Sequence, residues 1–180
     1  MKQEYIITIY SENHIGLISR ITVIFTRRKV NIESLTVSES AIKGIFKFTI
    51  VIEETKDQVI KMVGQIDKQV DVLKAFYHTN KEMIFQEIAL YKVHTESLYD
   101  SDTVEKIVRK AGARILEITR EFVIIEKTGH KDETQALFEE LNEFKVMQFI
   151  RSGRVALTRD PIERLSVFLK ERDAFLDALD

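Results

Sequence analysis

One order of apolar periodicities runs through the first half of this 180-residue chain and then repeats in the second. Residues 5–10 are β-branched and aromatic, as in a strand, and residues 16–28 place Leu17, Ile21, Ile24 and Phe25 at helical spacing. That helix rests on its buried stripe rather than on propensity, because Ile, Thr and Val are stiff at χ1. Residues 30–38 are extended, Gly44 turns the chain, and Phe46, Phe48, Ile50 and Ile52 alternate along a strand at 45–52. A helix is expected over 56–68, with Thr55 and Gln58 at capping-box spacing and Val59, Val63, Ile66 and Val70 facing inward. A strand over 70–77 closes the unit.

The second copy reads as a strand at 87–93, a helix at 103–111 ended by Gly112, strands at 113–118 and 122–127, a helix at 133–144 and a strand at 146–150. The fold class is therefore α+β: two tandem ferredoxin-like βαββαβ units, each with two helices on one face of a four-stranded antiparallel sheet. The other face of each sheet needs a partner. Expected domains are 1–79 and 87–160, joined by the polar stretch 80–86, with an amphipathic C-terminal helix over 161–180. Asp160, Pro161 and Glu163 supply an N-cap, a first-turn proline and a capping-box acid. Ile162, Leu165, Leu169, Leu176 and Leu179 then form a stripe expected to pack on the second domain, the other reading being a partner-docking or dimer helix.

Charged residues make up 31% and apolar residues 44%, with net charge −2, an ordinary globular balance without a membrane span or a field that would hold nucleic acid. The chain has no cysteine and opens directly into strand-like sequence, which fits a cytoplasmic protein. No GxGxxG, P-loop or GxSxG is present, and His14, His78, His94 and His130 are too scattered to suggest a metal site.

The chemistry concentrates between Ser11 and Ser40. A helix starting near Gly16 leaves backbone N–H groups unpaired and can hold a small carboxylate without a basic side chain. Asn13 before it and Asn31 at the start of the next strand could offer amides to an amino acid's charged groups. Equally, Asn13 could cap the helix, Asn31 could be a turn residue, and Gly16 could simply relieve the backbone.

The segment Glu12-Asn13-His14-Ile15-Gly16-Leu17-Ile18-Ser19-Arg20, followed by Asn31-Ile32-Glu33-Ser34-Leu35-Thr36-Val37, closely resembles the first ACT domain of the acetolactate synthase (acetohydroxyacid synthase) regulatory small subunit. Residues 65–73, 86–93 and 151–159 keep the same family order, so the resemblance runs from about Glu4 to Arg159. It implies a non-catalytic subunit that binds and activates an acetolactate synthase catalytic subunit and confers feedback inhibition by valine or a related branched-chain amino acid. It also implies a homodimer through the ACT domain. Asn13, Gly16, Leu17 and Ile18 would line the carboxylate end of the effector site, with Asn31 and Ile32 facing them across the interface. No cofactor is expected in this chain; thiamine diphosphate, Mg and FAD would belong to the catalytic partner. Leu17 departs from the family's usual small alanine, the connection at 40–44 is shorter than in many relatives, and the final helix extends beyond shorter members. A free-standing ACT-type amino-acid sensor would share the first domain without the enzyme partner.

Overall fold

A computed structural model describes residues 1–96, 103–162 and 164–177. It divides into two compact units, one formed by the described residues of Met1–Ile84 and Ala156–Asp180 and the other by Phe85–Val155.

In the first unit β1 (Gln3–Glu12), α1 (Leu17–Arg27), β2 (Ser34–Glu39), β3 (Ile45–Glu54), α2 (Lys56–Ile66) and β4 (Val72–Thr79) follow one another. The antiparallel sheet has the order β2-β3-β1-β4, the ferredoxin-like arrangement expected. The period-2 rule assigns Tyr5, Ile7 and Ile9 to one face with Phe48, Ile50 and Ile52. These join Leu17, Ile21, Phe25, Val59, Met62 and Ile66 from the helices in one core.

The second unit repeats the order with β5 (Met83–His94), α3 (Thr103–Lys110), β6 (Arg114–Ile118), β7 (Phe122–Gly129), α4 (Lys131–Asn142) and β8 (Val146–Arg151). Its sheet runs β6-β7-β5-β8; β9 (Val155–Thr158) follows and, from Ala156 on, belongs to the first unit. Tyr91 is fully buried there, its hydroxyl donating to the Thr134 carbonyl oxygen at 2.6 Å. Burial raises its pKa to about 12.

Several expectations change at element ends. Val70 does not face inward but is 73% exposed, because α2 stops at Ile66 and Met62 takes the buried position. The Asp67 carboxylate then accepts from Ala75 N at 2.9 Å and Lys74 Nζ at 2.7 Å, which starts β4 only at Val72. Thr55 makes no side-chain cap; its N–H donates to Glu54 Oε1 instead. The strand expected from residue 30 begins at Ser34, since Lys29 turns left-handed (φ 56°) and Val30 N bonds back to Phe25 O, finishing α1. The helix expected from 133 starts at Lys131, with Glu133 accepting the His130 N–H at 2.6 Å. The stretch 80–86 is no free joint. A 3₁₀ turn at Asn80–Glu82, closed by Glu82 on the Thr79 N–H and hydroxyl, leads straight into β5.

The terminal helix α5 (Arg164–Asp177) groups with the first unit, not the second. Lys47 Nζ donates to the Ala156 carbonyl, the Arg164 guanidinium stands 5.9 Å from the Phe76 ring centre, and Lys74 Nζ stands 5.7 Å from that of Phe168. Lys47, Lys74 and Phe76 belong to the first sheet's face opposite its helices, so the chain's own tail supplies cover there. Leu165 is buried, whereas Ile162 is exposed. Glu163, Leu179 and the Leu176 side chain lie outside the described residues.

Candidate functional site

Gly16 precedes α1 with φ 84°, a left-handed conformation in which a Cβ is strained, although nothing lies within 4 Å of where that Cβ would be. Leu17 N bonds back to His14 O at 3.2 Å, and the first helical bond runs from Arg20 N to Gly16 O at 3.1 Å. The intervening amides of Ile18 and Ser19 have no backbone acceptor among the described residues. No side chain caps the helix, and no acidic residue occupies its first turn. Asn13 is exposed in the preceding loop and is not the cap. The geometry leaves two N–H groups and the positive end of the helix dipole open to an anion.

Beside this helix start is an open hollow of about 540 Å³ that brings together Asn13, Gly16, Leu17 and Ile18. Its apolar wall comes from Val37 on β2 and from Phe46 and Phe48 on β3, with Leu17 contributing although only 2% exposed. Ser11, at the end of β1, also borders the hollow, and its buried hydroxyl has no hydrogen-bond partner. Sequence reasoning missed Ser11, Val37, Phe46 and Phe48. The signal was present in the alternation of β1, β2 and β3, which puts these residues on the face where α1 starts.

Asn31 and Ile32 do not line this hollow. Asn31 is exposed and its amide donates to Glu33 Oε1 at 2.9 Å, while Ile32 is half-buried against the first core. Both precede β2 rather than beginning it.

A charged cluster braces the helix start. Asp71 Oδ2 is 2.6 Å from Arg20 Nη2, and Asp71 Oδ1 is 2.9 Å from His14 Nδ1. Arg20, helped by His14, holds the Asp71 carboxyl below the ordinary aspartate range. Glu12, His14 and Asp71 are the residues here whose donor atoms could chelate a cation, but Arg20 already occupies one Asp71 oxygen.

Comparison with known proteins gives this geometry a context. A family model described as "AHAS small subunit-like ACT domain" matches residues 7–74, and one described as "Small subunit of acetolactate synthase" matches residues 86–160. The acetolactate synthase small subunit of Bacillus subtilis (strain 168) is 31% identical over 162 residues, covering 89% of this chain and 94% of the relative. The chain belongs to the acetolactate synthase small subunit family. A probable acetolactate synthase small subunit of Archaeoglobus fulgidus is 30% identical, covering 87% of this chain and 97% of its own length. The crystal structure of the Thermotoga maritima acetolactate synthase small subunit superimposes with a TM-score of 0.80 at 26% identity, over 89% of this chain and 99% of that one.

Within this small-subunit chain the whole hollow falls inside the ACT match, as does the Arg20–Asp71 brace. Among the described residues, no helix is long and apolar enough to cross a membrane.

Proposed function

We propose that this chain is the non-catalytic regulatory subunit of an acetolactate synthase, which activates the catalytic subunit in the cytoplasm and makes it inhibitable by valine or a related branched-chain amino acid. Membership of the small-subunit family supports the enzyme partner. In this reading thiamine diphosphate, Mg and FAD belong to that partner.

The observation that carries the effector assignment is the uncapped start of α1 opening on an apolar hollow. The amides of Ile18 and Ser19 receive the ligand carboxylate, and Gly16 keeps their approach clear. Leu17, Val37, Phe46 and Phe48 take a branched aliphatic side chain, for which an apolar wall is the matching chemistry. Asn13 stands within reach of the polar end. Asn31 and Ile32, outside their own chain's hollow, serve the hollow of a second copy, so the ACT domains pair and the effector lies across the dimer. An effector that binds one arrangement of that dimer more tightly shifts the equilibrium by the difference in affinity, and the catalytic subunit responds to the shift.

Isothermal titration of valine, leucine and isoleucine into the chain tests this site. Saturable heat with one or more of them, lost in Gly16→Asp, is the expected result. Equal binding by that variant would remove the assignment, because its carboxylate would stand where the ligand's is placed.

A further inference from the structure

The outer face of the first sheet holds polar groups that the proposed effector site does not use. His78 on β4 is only 5% exposed, and neither Nδ1 nor Nε2 has a hydrogen-bond partner. Thr8 on β1 is equally buried, and its Oγ1 is also unpartnered. Both border one cavity of about 70 Å³ whose lining lies entirely within the first unit. Tyr10, Lys47 from β3, Thr158 and Arg164 from the start of α5 complete its polar wall, and Phe76 and Leu157 are among the side chains that close the rest.

Leaving a buried donor or acceptor unsatisfied costs on the order of 1–3 kcal/mol, so three such atoms in one cavity mark a place where something else binds. A single water needs roughly 15 Å³, which leaves room for a few waters or one small ion. Charge decides between them. Both nearby cations, Lys47 and Arg164, line the cavity, whereas the opposing carboxylates Glu82 and Asp160 do not. Glu82 is engaged by Thr79; Asp160 accepts from Ile162 N and pairs with Arg164 at 3.4 Å, and Lys47 also donates to the Ala156 carbonyl, so both cations are held at the cavity by groups outside its lining or by backbone.

We propose that this cavity is a small-oxyanion site, in which His78 and Thr8 donate to the anion while Lys47 and Arg164 balance its charge. An anion there would bridge the sheet to the segment 156–164 and hold the chain's tail in place. Binding is linked to protonation of His78. Burial, and then Arg164 and Lys47, press the His78 pKa below the ordinary histidine value, against Glu82 and Asp160, which raise it. An anion offsets that repulsion, so it binds more tightly as His78 gains a proton. Tyr10 and Lys74 share this sheet face, and Lys74 is paired with Asp67 at 2.7 Å.

The test uses the full chain and inorganic sulfate, which stays dianionic across the range. The ring signals of His78, identified by their loss in His78→Gln, are followed by NMR as sulfate is added at constant ionic strength. Saturable movement is expected, with affinity about tenfold higher at about pH 5.5 than at about pH 8 and weakened in both Thr8→Val and Arg164→Gln. Ring signals that do not move, or that move equally with chloride, would overturn the site. So would a response left unchanged by both substitutions. Neither result touches the effector hollow, which shares no residue with this cavity.

Discussion

Arg20 in the first turn of α1 and Asp71 in the turn before β4 are 51 residues apart in sequence and 2.6 Å apart in space. Their pairing fixes the helix start against the end of β1, because Asp71 also accepts the Glu12 N–H through its backbone oxygen at 3.0 Å. Since the folded-state pKa of Asp71 is lowered, the stability it contributes is fully present above the ordinary aspartate value of about 3.9 and is lost as pH falls through the lowered one. Asp71→Asn should therefore flatten the acid limb of the stability profile measured by urea unfolding. It should also weaken amino-acid binding severalfold by loosening the helix start. An unchanged acid limb would show that the pairing adds nothing to folding.

Gly16 separates backbone strain from ligand competition. Gly16→Ala and Gly16→Asp both place a Cβ at φ 84°, at a cost of about 1 kcal/mol. Only aspartate brings a carboxylate to the open N–H groups. The alanine variant should keep inhibition with a modest loss of thermal stability, and the aspartate variant should lose inhibition while still activating. Loss of inhibition in both would point to the backbone rather than to charge.

Leu17 belongs to the hollow and to the first core at once. Leu17→Ala should cost about 3 kcal/mol in denaturant unfolding, as deletion of a buried leucine side chain does. It should also move effector preference toward the larger leucine over valine. Titrating the two amino acids side by side reads out the change, and an unaltered ratio would place Leu17 in the core alone.

Tyr91 tests the second unit independently. Tyr91→Phe removes the bond to Thr134 O, which keeps its helical acceptor role within α4, for an expected loss of about 1 kcal/mol at neutral pH. The raised pKa means that the contribution is complete below the unfolded value of about 10 and disappears as pH rises toward about 12. The mutant should converge on the wild type in that alkaline range.

Much of this was readable from side-chain periodicity. The alternation in β1 and β3 and the spacing of Leu17, Ile21, Ile24 and Phe25 give the first unit's layers because burial itself imposes those periods. Residue 16 was readable as well, since a glycine opening an apolar helix is the residue that tolerates φ 84°. Val70 was not. Its hydrophobicity fits the α2 stripe, but Asp67 reaches forward to Lys74 and Ala75, a contact no local pattern records. The same holds for Asp71, for the polar cavity at His78 and for the side on which α5 lies. Each depends on residues far apart in sequence, and each is polar or only partly apolar, so no period announces it.

The most direct test of the account is acetolactate formation by the same organism's catalytic subunit alone, with this chain, and with this chain plus valine, leucine or isoleucine. Higher activity is expected when the chain is added, with loss of that activity when one of the amino acids follows. Activity indifferent to the chain, with no co-purification of the two proteins, would contradict it.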